Sequence, residues 1–231
     1  MVSGKVIIIT GASKGIGKEM AITFSSHGAK TVLASRNDKR MEEFKEQLHG
    51  DWMIHKTDVC NEQSVHALVE AVMAKYGRID VLVNNAGFVE PVGLLEMSLE
   101  LWEKTIATNL TGCFLCTREV VRFMKKTGGK IVNIASTAGL TPRSGWSAYA
   151  ASKAGVINFS LTMAEELRLN NIKVFCVCPG RTATVLRRKL APDEDPTTIM
   201  QPKAVVETVE YCLSDAANVL EGQPILVRER K

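Results

Sequence analysis

Seven short runs rich in β-branched residues recur along the chain, and segments with helical apolar spacing separate almost all of them. The runs cover residues 6–10, 31–35, 52–56, 81–84, 130–135, 174–178 and 225–227. Most are continuously apolar, the pattern of strands covered on both faces rather than one. The helical segments cover 16–27, 39–48, 62–76, a long stretch around 101–126, 150–170 and 202–214. Strand, helix, strand repeated in this order calls for right-handed crossovers and a parallel sheet. The expected fold class is therefore α/β: one doubly wound domain over residues 1–231, with about seven strands and helices on both faces. No linker or composition shift divides it. The least regular stretch, 180–201, follows the sixth strand and is expected to be a substrate lid, because ligands of such sheets bind beyond the strand C-terminal ends.

Composition excludes several classes. Of 231 residues, 45% are hydrophobic and 23% charged, and the net charge is +4, as in ordinary globular proteins. No block of five or six like charges marks a nucleic-acid or membrane surface, and the short run Arg187-Arg188-Lys189 reads as a solvated face. No apolar run approaches the roughly 20 residues of a membrane span. The chain opens on a strand-like run without a cationic leader or cleavage site, so a cytoplasmic location is expected. Most of the six cysteines sit inside apolar runs. Cys113 and Cys116 bracket Phe114-Leu115 in helical sequence, with no second ligand pair at metal spacing. Buried free thiols are expected, and no metal.

The first strand passes directly into Thr10-Gly11-Ala12-Ser13-Lys14-Gly15-Ile16-Gly17, which opens the first helix. Glycines here allow a tight turn and a close approach of backbone amides to a pyrophosphate, and the helix N-terminus favours its charge. The spacing is Gly-x3-Gly-x-Gly, which departs from the common Gly-x-Gly-x2-Gly. The second strand ends Ala34-Ser35-Arg36, with no acid at its tip to bind a free ribose 2′-hydroxyl. Lys14 and Arg36 together suit a 2′-phosphate, so NADP(H) is expected over NAD(H), although Asp38 is close enough to blur the preference.

Tyr149 and Lys153 stand four residues apart at the start of a helix and so share a face. A phenol with pKa near 10 is a poor acid/base at neutral pH, and a nearby ammonium stabilises its phenolate. Alone, the pair is commonplace.

The full set of motifs resembles the short-chain dehydrogenase/reductase family over nearly the whole chain, in particular NADP-preferring members such as 3-oxoacyl-thioester reductases. The matching residues are Thr10-Gly11-x3-Gly15-x-Gly17, Asp58-Val59, Asn84-Asn85-Ala86-Gly87, Asn109, Ser136, Tyr149-x3-Lys153, and Pro179-Gly180 followed by Thr184, each after the appropriate strand. The resemblance implies a Rossmann domain and a hydride transfer between nicotinamide and a carbonyl or secondary alcohol. It implies Tyr149 as acid/base, Ser136 as hydrogen-bond donor to the reacting oxygen, and Lys153 as the residue lowering the tyrosine pKa and holding the nicotinamide ribose. Asn109 would fix a water that relays protons from Lys153. The cofactor would also be lined by Ser13, Ile16, Asp58, Val59, Asn85, Ala86, Gly87, Pro179, Gly180, Thr182 and Thr184. Taken singly, Asn109 and Ser136 read as a helix-surface amide and a turn hydroxyl.

Leu140, Arg143, Trp146 and Arg181 are expected at the substrate pocket, where either arginine could bind an acidic substrate or face solvent. The region after Gly180 is shorter than in many relatives, and the chain stops at Arg228-Glu229-Arg230-Lys231. The helices around 101–126 and 150–170 are those relatives use to pair subunits, so a homodimer or homotetramer is expected. A non-catalytic NADP(H)-sensing or interaction protein on the same fold stands as the second reading.

Overall fold

The computed structural model describes residues 1–229; Arg230, Lys231 and the side chain of Lys189 lie outside the described residues. Seven parallel strands form one sheet: β1 (Val6–Thr10), β2 (Lys30–Ser35), β3 (Trp52–Lys56), β4 (Val81–Asn84), β5 (Gly129–Ile134), β6 (Ile172–Pro179) and β7 (Pro224–Val227). Their order is β3-β2-β1-β4-β5-β6-β7, so the direction of strand addition reverses between β1 and β4. The cleft at such a reversal lies beyond the strand C-terminal ends. Register pairs Ile8 with Val32 on one side and Leu82 on the other.

The sheet is covered on both faces, and the central strands send apolar side chains to each of them. Ile7 and Ile9 face a core completed by Met20 and Phe24 of α1 (Gly15–Ser26) and by Val205, Val206 and Val209 of a late helix, Pro202–Cys212. Val6 and Ile8 face the opposite core, with Leu68 and Val72 of the Glu62–Tyr76 helix and Val120 and Met124 of the Gly112–Met124 helix. All nine of these helix side chains are essentially withdrawn from water.

Three helical segments differ from the sequence reading. The expected helix at 39–48 is α2 (Asp38–Glu42) followed by a 3-10 turn, Lys45–Gln47. The Asn37 side chain caps α2 by accepting from Arg40 N, and the chain then unwinds at Phe44, which lets Phe44 and Leu48 join Met41 in the core. After α3 (Glu62–Tyr76), the long segment divides into α4 (Leu99–Ile106), a π-helical turn (Ala107–Thr111) and α5 (Gly112–Met124). The segment expected at 150–170 starts earlier, as α6 (Ser147–Glu166), and ends in a 3-10 turn, Arg168–Asn170.

The irregular stretch 180–201 contains a short helix, α7 (Val185–Leu190), capped by Thr184, whose hydroxyl accepts from Arg187 N at 3.1 Å. Ala183 N donates to Met200 O at 2.8 Å, and Ile199 and Met200 are buried, so the stretch is anchored at both ends before α8 (Pro202–Cys212). Cys113, Cys116, Cys176, Cys178 and Cys212 are buried free thiols, as read from the sequence, whereas Cys60 is exposed.

Candidate active site

A cavity of about 660 Å3 runs along the C-terminal ends of β2, β1, β4, β5 and β6, in the size range of small-molecule and cofactor sites. At one end stands the glycine loop. Gly11 and Gly15 adopt φ of +67° and +56°, which favour glycine. A Cβ on Gly11 would lie 2.7 Å from Ala86 Cα, and one on Gly17 would lie 2.5 Å from both Asn85 Nδ2 and Gly11 O. The third glycine therefore sets the approach of the helix to the β4 turn and does not itself border the cavity. Its bare backbone and the N-terminus of α1 form a cradle that a pyrophosphate fits.

Asn85 holds this loop in place. Its Nδ2 donates to Thr10 O at 2.9 Å and to Gly11 O at 3.3 Å. The Thr10 hydroxyl accepts in return from Asn85 N at 3.0 Å and Ala86 N at 3.1 Å, and donates to Val83 O. Sequence reasoning placed Thr10 in the motif without assigning it a task. Ser13, Lys14, Gly15 and Ile16 line the same end, with Ser13 Oγ accepting from Ser35 Oγ at 3.0 Å. Arg36 and Arg40 border it too; Arg40, one helical turn beyond Arg36, went unnoticed in the sequence. Asp58, Val59, Asn85, Ala86 and Gly87 form the wall, and Pro179, Gly180, Thr182 and Thr184 the far side. Asp38 is not among the lining residues.

At the other end Ser136, Tyr149 and Lys153 come together on the lining. Ser136 follows β5 in extended conformation, its hydroxyl accepting from Ala138 N at 3.1 Å. Tyr149 and Lys153 project from the first two turns of α6. Burial pushes the Tyr149 phenol above its ordinary value, against opposing effects of hydrogen bonding with Ser136 and of the Arg143 charge. Lys153 is buried, which lowers its pKa to about 8. Its Nζ donates to Ile134 O at 2.8 Å and lies 5.8 Å from the Tyr149 ring centroid. Burial thus outweighs Ser136 and Arg143 at the phenol, while the Lys153 ammonium donates to a β5 carbonyl.

Asn109 stands behind the cavity, in the π-helical turn, a local widening common at functional sites. Its Oδ1 accepts from Phe88 N at 2.7 Å, while Nδ2 donates to Phe88 O and to Ser152 Oγ, each at 2.9 Å. A second cavity of about 10 Å3, room for about one water, is bordered by Asn84, Thr108, Asn109, Cys113 and Ile134.

The residues expected around the substrate separate. Arg143 and Trp146 border the cavity, joined by Phe88, Val89, Glu90, Leu186 and Leu190, which the sequence reading did not single out. Leu140 does not; it closes the 3-10 turn Thr137–Gly139 and is exposed. Arg181 lines the cavity, but its guanidinium pairs with Glu194 at 3.0 Å, and Arg187 grips the same carboxylate at 2.5 and 2.8 Å.

A family model described as short chain dehydrogenase matches residues 5–195. The chain is a short-chain dehydrogenase. This short-chain dehydrogenase is 36% identical over 234 residues to a 3-oxoacyl-[acyl-carrier-protein] reductase of Thermotoga maritima, covering 96% of this chain and 95% of that one. Its fold matches the crystal structure of an actinorhodin polyketide ketoreductase variant with NADPH at TM-score 0.89 and 31% identity, covering 97% and 96% of the two chains. It also matches a 3-ketoacyl-(acyl-carrier-protein) reductase of Brucella melitensis complexed with NADH, at TM-score 0.90 and 27% identity, covering 99% and 98%. The short-chain dehydrogenase described above is accordingly an NAD(P)-dependent oxidoreductase of the Rossmann type. No helix among its described residues is long and apolar enough to cross a membrane.

Proposed function

We propose that this short-chain dehydrogenase uses NADPH to reduce a carbonyl to a secondary alcohol, with Tyr149 donating the proton. The observation that carries the reading is the convergence of Ser136, Tyr149 and Lys153 on one end of the cavity whose other end is the glycine cradle. When bound, the nicotinamide supplies the hydride. Tyr149 keeps its proton at neutral pH because burial raises its pKa, so it is loaded for transfer to the carbonyl oxygen. Ser136 hydrogen-bonds the same oxygen as negative charge develops on it. Lys153, with one N–H held by Ile134 O, has two left for the ribose hydroxyls. Asn109 fixes Phe88 at the rim of the site, and the small cavity beside it suits the water of a proton relay toward Lys153.

Lys14, Arg36 and Arg40 favour the 2′-phosphate of NADP(H), with no carboxylate at the tip of β2 to compete. The 180–201 stretch is the substrate lid: α7 supplies Leu186 and Leu190 to the lining, and Glu194 ties the start of the stretch to α7 through Arg181 and Arg187. The relatives named for 3-oxoacyl reduction favour a 3-oxoacyl thioester or a chemically related ketone as substrate. A cytoplasmic location and a homo-oligomer complete the reading.

The test is NADPH oxidation with a panel of 3-oxoacyl thioesters and small ketones, comparing wild type with Tyr149→Phe. Turnover is expected to fall about 100-fold or more, with NADPH affinity unchanged. Undiminished activity in Tyr149→Phe would overturn the mechanism. Tight NADPH binding without turnover of any carbonyl would favour the sensing or interaction reading.

A further inference from the structure

We propose that Arg143 selects carbonyl substrates that carry an anionic group, a carboxylate or phosphate a few bonds from the carbonyl that Tyr149 protonates. This rests on the reductase reading above and names the substrate class of the same site.

Three arginines border the substrate end of the cavity, and they are not equivalent. Arg181 and Arg187 are both committed to Glu194. Arg143 pairs with no carboxylate among the described residues. Its guanidinium lies over the Trp146 ring, 5.6 Å from the centroid. Trp146 in turn meets Tyr149 edge to face, with centroids 5.5 Å apart and ring planes at 77°. The two ring contacts set the cation at the mouth of the site, one aromatic away from the reacting phenol.

Stacking on a ring orients a guanidinium without using its N–H groups, so its fork of donors is left for a ligand. A guanidinium matches carboxylate and phosphate oxygens two at a time. Its charge already reaches Tyr149, drawing the phenol pKa down, and a bound anion would offset that effect where the proton must be held. Glu90 borders the same mouth and makes no ion pair with Arg143 among the described residues, so the arginine is not neutralised from that side.

The experiment uses two matched substrate pairs with NADPH: a medium-chain 3-oxo acid with its methyl ester, and a 2-oxoalkyl phosphate with its dimethyl phosphate ester. The first pair reads a carboxylate, the second a phosphate. Wild type is expected to favour the anionic member of at least one pair by about tenfold or more in kcat/KM, as one charge-assisted hydrogen-bonded pair provides. Arg143→Gln should abolish that preference mainly through KM, with any change in kcat that reaches the reaction through the Tyr149 phenol falling equally on both members of a pair, and Arg143→Lys should retain part of the preference. Equal use of both members of both pairs by wild type would overturn the proposal, as would a preference for the anionic member that survives Arg143→Gln. Either result leaves the reductase reading standing. Absence of turnover for all four and for neutral ketones would instead defeat that reading, and this inference with it.

Discussion

Thr10 and Asn85 brace one another across the β1–β4 boundary: the Thr10 hydroxyl accepts from Asn85 N at 3.0 Å, and the Asn85 carboxamide donates to Thr10 O at 2.9 Å. The pair joins the phosphate cradle to the wall of the cofactor cleft. Thr10→Val keeps the shape, leaves the Ala86 N–H without its acceptor and leaves the Asn85 N–H with Val83 O alone. The expected cost is about 2–3 kcal/mol of stability, read as a drop of several degrees in Tm, with weaker NADPH binding. An unchanged Tm would show that the brace is not energetically significant.

The proposed preference for NADP(H) rests on the cations at the end of β2. Titration calorimetry should show tighter binding of NADPH than of NADH to wild type. Arg36→Ala should erase most of the difference, a change of about tenfold or more for one bidentate phosphate contact. Arg40→Ala should remove a smaller share. Equal wild-type affinities for the two dinucleotides would refute the assignment.

Lys153 makes the site costly to the fold. Burial lowers its pKa from 10.5 to about 8, so the unfolded chain binds the extra proton more readily between those values. Stability therefore rises with pH across that window, and below about 8 the cost is constant and fully present. Lys153→Met is expected to be inactive yet to melt at or above the wild-type Tm at pH 7, with the gap closing toward pH 10. The reduction rate should be level from about pH 6 to 7.5 and decline above about pH 8, as the ammonium loses its proton. A Lys153→Met protein much less stable than wild type at pH 7 would contradict the assigned burial cost.

Leu99 and Trp102 of α4 and Phe114 of α5 are exposed, and Phe114 already meets Phe159 of α6 edge to face at 6.5 Å. Apolar side chains grouped on neighbouring helices suit a second copy of this chain. Sedimentation velocity should show a dimer or tetramer at micromolar concentration, with Phe114→Glu shifting it toward monomer. A stable wild-type monomer would reject the oligomer.

The strands were legible because a parallel sheet buried on both faces needs continuous apolar runs, and six of seven were read to within one residue at each end. β6 extends further than its most apolar stretch, since Ile172 and Pro179 complete the ladder by pairing with neighbouring strands. The break in α2 was not legible: its apolar spacing suits a longer helix, and only the tertiary core rewards unwinding at Phe44. The π-helical turn around Asn109 was equally hidden, because one extra residue per turn barely changes the pattern of apolar positions.

The order of strands, helices and the glycine loop along the chain determined the fold class and where the loop sits beside β1, because these follow from local spacing, whereas Ser136, Tyr149 and Lys153 were singled out as a set only through the family resemblance. Only the tertiary structure decided which charges are available. Arg181 and Arg143 are indistinguishable as sequence letters. The fold brings Glu194 back onto Arg181 and places a tryptophan, not an acid, under Arg143. Likewise Tyr149 and Lys153 are one turn apart by spacing alone, but only the fold shows that the Lys153 ammonium donates to Ile134 O and that burial raises the phenol pKa.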